Sequence, residues 1–223
     1  MLSRKTHDGT AAVEYVTGDL ATGAGIDSAV DGIEVVVHLA GGPKGDDAET
    51  RQLVQAAAKA GVRHLIYVSV IGADRVPLGY FRAKFGAEQV VADSGLPFTT
   101  LRAAQFHDFV LTAVEKMAKL PVLPVPSAMR FQPVGADEVA ARMVELALGE
   151  PAGRVPDLAG PKVYRMAELI REYLRARGKR RLLVPLPLPG KVGRVYRAGD
   201  NLATRQAVGH RTWEEFLAAR VSR

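Results

Sequence analysis

The sequence contains no cysteine. Disulfides, thiolate metal sites and cysteine nucleophiles are therefore excluded, and the composition suits a reducing compartment. Long apolar runs are also missing. The most apolar stretch, residues 110–126, is broken by Glu115, Lys116, Lys119 and prolines, so it cannot span a bilayer. The segment MLSRKTHDG lacks the apolar run of a signal peptide, which makes the cytoplasm the expected location. Neither His38 nor His64 has a carboxylate or histidine at metal-ligand spacing, so no metal is expected. The glycine-rich HLAGGPKGD (38–46) meets neither the G-x-G-x-x-G nor the G-x-x-x-x-G-K-[ST] spacing, and no acidic residue ends the next strand. Repeats and low-complexity segments are absent. Tryptophan occurs once, as Trp213, and reads as a core anchor for the last helix.

Charge is present but uneven. The net charge is +6. Residues 171–223 hold 13 basic and 4 acidic residues, a net +9, whereas the first 170 hold 17 basic and 20 acidic, a net −3. The basic charges lie among prolines and glycines without a recognition helix or an aromatic stacking set. They read as a solvated surface, and no nucleic-acid partner is expected.

The first half alternates strand and helix signals. Strands are expected at 11–16, 33–40, 63–70 and 97–103, and helices at 25–32, 47–61, 79–95 and 106–119. The runs IEVVVHLA and RHLIYVSV are continuously apolar, the pattern of strands buried on both faces. Strands and helices of these lengths make an α/β fold with a parallel sheet. After Leu120 the chain turns proline-rich and extended, followed by helical patterns at 136–149, 166–177 and 212–221, with RRLLVPLPLPG (180–190) between the last two. The expected division is a nucleotide-binding core over 1–120 and a smaller substrate-binding lobe over 121–223.

Ser69 stands at the end of LIYVSV, and Tyr80 and Lys84 open the next helix four residues apart, on one face. An ammonium beside a phenol favours the phenolate and draws its pKa down from about 10. Such a tyrosine can exchange a proton with a carbonyl or alcohol oxygen that the serine holds. Three suitable residue types at a strand end and a helix start are a stronger signal than Tyr-x-x-x-Lys alone. The alternative is a surface tyrosine with an unrelated lysine.

The segments VTGDL, VVVHLAG, AAAKAGVRHLIYVSVIG, YFRAKFGAEQVVADSGLPFTTLR, FQPVGADEVA and LAGP, with TWEEFLA near the end, cover nearly the whole chain. On these the chain resembles the atypical short-chain dehydrogenase/reductases, the NmrA-like group of NAD(P)-binding proteins. The resemblance implies a Rossmann-type sheet, a bound nicotinamide dinucleotide, and Ser69, Tyr80 and Lys84 as the catalytic set. It implies that Asp19 and the adjoining Leu20 contact the adenine side, that Leu39, Ala40 and Gly41 line the cofactor near its ribose, and that Lys84 donates to the ribose hydroxyls. Ser3 and Arg4 match the end of the family's second strand. No Asp or Glu occupies residues 2–5, so NADP(H) is favoured over NAD(H).

Phe106, His107 and Phe109 are candidates for the substrate pocket; for His107 a structural role between helix and strand stands beside that reading. The expected activity is an NADP(H)-dependent oxidoreductase acting on a carbonyl, alcohol or quinone-like small molecule, as monomer or homodimer. A non-catalytic NAD(P)H-binding redox sensor is the alternative; a nucleotide-sugar epimerase or dehydratase fits the short C-terminal lobe less well. Two features depart from the family pattern. Ala103-Ala104-Gln105 follows TTLR where many relatives have proline and a small residue. The family's first strand and G-x-x-G-x-x-G turn are missing, so the sheet is expected to be N-terminally truncated. The 11–16 strand should then be separated from the main sheet, the edge of the 33–40 strand left open, and cofactor affinity lowered by orders of magnitude.

Overall fold

The computed structural model describes residues 1–42, 45–203 and 209–221; positions 43 and 44 of the glycine segment 38–46 lie outside them. The chain divides into two compact units. The first comprises Met1–Ser69, Gly79–Leu101 and Met143–Val155, the second Val70–Leu78, Arg102–Arg142 and Pro156–Arg223. Each unit is thus assembled from three stretches rather than from the consecutive segments 1–120 and 121–223.

In the first unit a four-stranded sheet has the order β3–β4–β5–β8, formed by β3 (Val35–His38), β4 (His64–Val70), β5 (Phe98–Ala103) and β8 (Gly153–Arg154). β3 pairs in parallel with β4, Val35 opposite His64, and β5 in parallel with β8, Thr99 opposite Gly153. The helices are α1 (Ile26–Val30), α2 (Asp46–Lys59) and α3 (Gly79–Ala92). Leu65 and Tyr67 of β4 pack with Val54 of α2 and with Ala87 and Val91 of α3. Ile26 and Val30 of α1 pack with Leu53 and Ala56 of α2. These contacts follow from the helical spacing of the apolar residues in QLVQAAAKAG and FGAEQVVA.

Of the 11–16 segment only its last residue is in a strand: β2 (Val16–Thr17) pairs in parallel with β1 (Leu2–Ser3), in a ribbon apart from the four-stranded sheet. The run 33–40 is not buried on both faces. β3 is an edge strand, and Val35 and Val37 are 37% and 40% exposed.

The second unit is built on α4 (His107–Met117), β6 (Val122–Pro126), β7 (Arg130–Phe131), α5 (Ala136–Leu148), β9 (Tyr164–Arg165), α6 (Met166–Ala176), β10 (Leu182–Leu186), α7 (Gly190–Ala198) and α8 (Trp213–Val221), with α5 passing from this unit into the first. β10 pairs in parallel with β6, and β7 antiparallel with β9. Its core gathers Val110, Val114, Leu123, Leu169, Ile170 and Trp213. Trp213 is fully buried and donates its indole N–H to the Leu169 carbonyl at 3.1 Å, the anchoring role its sequence position suggested. Helix α7 had no counterpart in the sequence reading. Among the described residues no helix is long and apolar enough to cross a membrane.

Candidate active site

The carboxyl end of β4 and the first turns of α3, both in the first unit, carry the three residues read as catalytic. Ser69 is buried, and its hydroxyl has no hydrogen-bond partner among the described residues. Tyr80 is 41% exposed and meets Phe81 edge-on, ring centroids 5.6 Å apart. Lys84, one turn further, is buried at 5% exposure.

The ammonium of Lys84 is not paired with Tyr80. It lies 3.1 Å from Oδ2 of Asp46, donates to the Val68 carbonyl at 3.4 Å, and sits 5.0 Å from the centroid of the Tyr67 ring. Asp46 is fully buried at the first turn of α2, where the helix N-terminus favours a carboxylate. Its Oδ2 also accepts from the Tyr67 hydroxyl at 2.8 Å, whereas its Oδ1 has no partner among the described residues. Behind this pair His38 is buried, its Nε2 3.0 Å from the Thr50 hydroxyl oxygen and its ring centroid 5.2 Å from that of Tyr67.

The electrostatics correct one expectation. The Tyr80 phenol is pushed up, not down: partial desolvation disfavours the phenolate, and the Asp46 carboxylate adds to the effect. Lys84 is neutralised by Asp46, so it does not draw the phenol toward neutrality. Burial, again reinforced by Asp46, raises the Tyr67 hydroxyl as well, so Tyr67 acts as a hydrogen-bond donor rather than an acid.

Leu39, Ala40 and Gly41 leave the end of β3 exposed, over the Asp46–Lys84 pair. A Cβ on Gly41 would stand 2.4 Å from Nζ of Lys84 and 2.7 Å from Oδ1 of Asp46. Only glycine lets the backbone approach that closely. A polyhydroxyl group such as a ribose fits this donor set: a buried ammonium, an unpartnered carboxylate oxygen and a backbone cradle without a side chain. Asp19 bridges to Ala24 and accepts from the Ala21 amide at 2.9 Å, shaping its own turn. Leu20 packs against Ile26, Val30, Leu53 and Ala56, so its side chain is committed to the core. Ser3 Oγ accepts from the Lys5 amide at 3.2 Å and lies 3.0 Å from His7 Nε2, while Arg4 is exposed.

The residues read as pocket-lining lie in the second unit. Phe106 and Phe109 are 37% and 65% exposed, and both can offer apolar surface. His107 does not join them. It is fully buried, stacked on Phe216 at 4.9 Å with Trp213 at 5.9 Å, and neither ring nitrogen is hydrogen-bonded among the described residues. Its place is inside the core, because the first turn of α4 turns this side chain toward α8.

Asp46, Tyr67 and the His38–Thr50 pair escaped the sequence reading. An Asp at a helix start reads as a favourable charge for the helix dipole, and a Tyr inside an apolar strand reads as core.

The family model described as NAD(P)H-binding matches residues 3–147. Quinone oxidoreductase 2 of Escherichia coli (strain K12) is 29% identical over 169 residues, 72% of this chain and 57% of that protein. Ceramide reductase of Caulobacter vibrioides (strain NA1000 / CB15N) is 27% identical over 194 residues, 80% of this chain and 61% of that protein. The chain thus spans less than two thirds of the length of either relative. Among solved structures, an NADPH-dependent quinone oxidoreductase from Escherichia coli complexed with NADPH superposes with a TM-score of 0.76 at 21% identity, covering 93% of this chain and 83% of that one. This superposition establishes the parallel α/β sheet as Rossmann-type.

Proposed function

Belonging as it does to the NAD(P)H-binding family, the chain is, we propose, a reductase that uses NADPH to reduce a carbonyl or quinone-like small molecule. The observation that carries this reading is the buried Lys84 ammonium held directly beneath Gly41, with the unpartnered Ser69 hydroxyl in the same unit. The nicotinamide cofactor supplies the hydride when bound. Lys84 and the free Oδ1 of Asp46 hold its ribose hydroxyls, and Leu39, Ala40 and Gly41 give it an open strand end to lie against. The exposed Arg4 guanidinium and the lack of Asp or Glu at residues 2–5 suit a 2′-phosphate, which supports NADPH over NADH.

Ser69 donates a hydrogen bond to the substrate oxygen. Tyr80 gives its proton to that oxygen as negative charge develops there, and solvent reprotonates the phenolate through its exposed edge. Through Oδ2 Asp46 fixes the ammonium, and it touches neither the substrate nor the Tyr80 phenol. The quinone and ceramide reductases among the relatives support the general class of chemistry. The substrate itself is to be found by an NADPH-consumption screen over quinones, aldehydes and ketones.

A second reading, a non-catalytic NADPH-binding sensor, is favoured by one observation, the diversion of Lys84 from Tyr80 to Asp46. The Tyr80→Phe variant separates the two. A reductase loses about 10²–10⁴-fold in turnover while keeping its NADPH affinity. A wild-type chain that binds NADPH and oxidises it with none of these substrates overturns the reductase reading.

A further inference from the structure

In the second unit the β6–β10 ribbon has two unlike faces. Leu123 and Val125 of β6 are buried in the core, and Leu183 of β10 packs against the same cluster. The opposite face carries Leu182, Val184 and Leu186, which are 63%, 36% and 47% exposed. The register sets Val122, Pro124 and Pro126 beside them. Val122 is itself 46% exposed, and Leu120, just before β6, is 48% exposed. All six paired positions on this face are apolar and none is fully covered, an arrangement that marks an interaction site.

A groove of about 650 Å³ runs beside the ribbon, between α6 and β10. Arg171, Arg175, Lys179, Arg180 and Arg181 line it together with Leu183 from the core side of the ribbon, and Arg175 is paired with Glu172 at 2.6 Å. No carboxylate is among its lining residues, and Arg180 and Arg181 lead directly into the exposed Leu182.

We propose that this face docks the protein on an anionic phospholipid bilayer, with the ribbon's leucines in the headgroup–acyl boundary and Arg180 and Arg181, which run directly into Leu182, on the headgroup phosphates. A bilayer satisfies both halves of the surface at once. Other occupants satisfy one. An added β-strand needs backbone donors that Pro124, Pro126 and Pro185 lack. A second copy in a two-fold interface brings Arg180 and Arg181 of both copies together beside the leucines. Duplex DNA uses the cations but leaves the leucines against phosphates. The net +9 of residues 171–223 adds longer-range attraction to a negative surface.

The test is cosedimentation of the full chain with vesicles of phosphatidylcholine, alone or mixed with phosphatidylglycerol, over a salt series. The mixed vesicles are expected to bind at least about tenfold more strongly than the neutral ones, with affinity falling as salt rises. Arg180→Glu/Arg181→Glu should lose at least about 25-fold, at roughly fivefold per cation. Leu182→Ser/Leu186→Ser should lose about tenfold, also at low salt. These side chains are exposed, and an unchanged unfolding midpoint checks each variant; if one pair proves unstable the other decides. Equal binding to neutral and anionic vesicles, or binding that neither variant weakens, overturns the proposal. So does a dimer that Leu182→Ser/Leu186→Ser dissociates, or duplex DNA bound more tightly than mixed vesicles. None of these residues belongs to the nucleotide site, so the outcome is independent of the reductase reading.

Discussion

Nζ of Lys84 and Oδ2 of Asp46 lie 3.1 Å apart with side chains only 7% and 1% exposed, so each ion is what makes the other tolerable in the interior. Removing one partner leaves a buried uncompensated charge. Asp46→Leu is expected to cost about 3–5 kcal/mol in urea unfolding, while Asp46→Leu/Lys84→Met recovers part of that loss. Additive losses in the double variant would show that the two groups do not depend on each other.

Gly41 guards the same pair. Gly41→Ala drives a methyl to within 2.4 Å of the ammonium, so Lys84 must move. The expected result is a stability loss of about 1–3 kcal/mol and at least a tenfold weaker NADPH affinity by fluorescence titration. Gly79→Ala is the matched control. At the start of α3 its Cβ would meet nothing within 4 Å, so both readouts should stay near wild type.

The sequence exposed β4, β5 and α2 through α4 because their apolar periodicity is strong and local. It placed Ser69, Tyr80 and Lys84 correctly at a strand end and a helix start. What it could not display is the counter-ion. Asp46 and Lys84 are 38 positions apart, and nothing in DDAETRQLV distinguishes a buried carboxylate from a solvated helix-start charge. Helix α7 was hidden for a different reason. Its sequence GKVGRVYRA has two glycines, and only Gly193 and Tyr196 are buried. Gly193 is there because a Cβ would strike the Leu188 carbonyl, a constraint of packing and not of helix propensity.

The Tyr80 phenol, raised above its ordinary value of 10, stays protonated throughout the neutral range. An acid that works when protonated gives a reduction rate that is flat through neutrality and declines only in alkaline solution. The measurement is kcat against pH for the most active substrate in the NADPH screen. A decline centred near pH 7 would mean that Lys84 turns to the phenol in the loaded enzyme and activates it as the Tyr-x-x-x-Lys spacing suggests.

Burial holds the imidazoles of His38, His64 and His107 below their ordinary value, so acid works against the fold. Burial lowers His38 to about 4; the Asp46 carboxylate opposes the shift and the Lys84 ammonium assists it. Burial lowers His107 to about 4, with Glu138 opposing and Arg211 assisting. In the unfolded chain both return to the ordinary 6.5. Between pH 6.5 and about 4 the unfolded state therefore binds protons that the folded state refuses. Folding stability is fully present above pH 6.5 and falls as the pH drops, by about 3 kcal/mol for each imidazole once pH 4 is reached. Against a net stability of about 5–15 kcal/mol, His38 and His107 together remove a large share by pH 4. His107→Phe keeps a ring against Phe216 and Trp213 and removes two nitrogens that have no hydrogen-bond partners. Its urea midpoint should match wild type at pH 8 and exceed it increasingly below pH 6. Superimposable midpoint–pH curves for the two proteins would refute the assignment of His107 as an acid-sensitive core group.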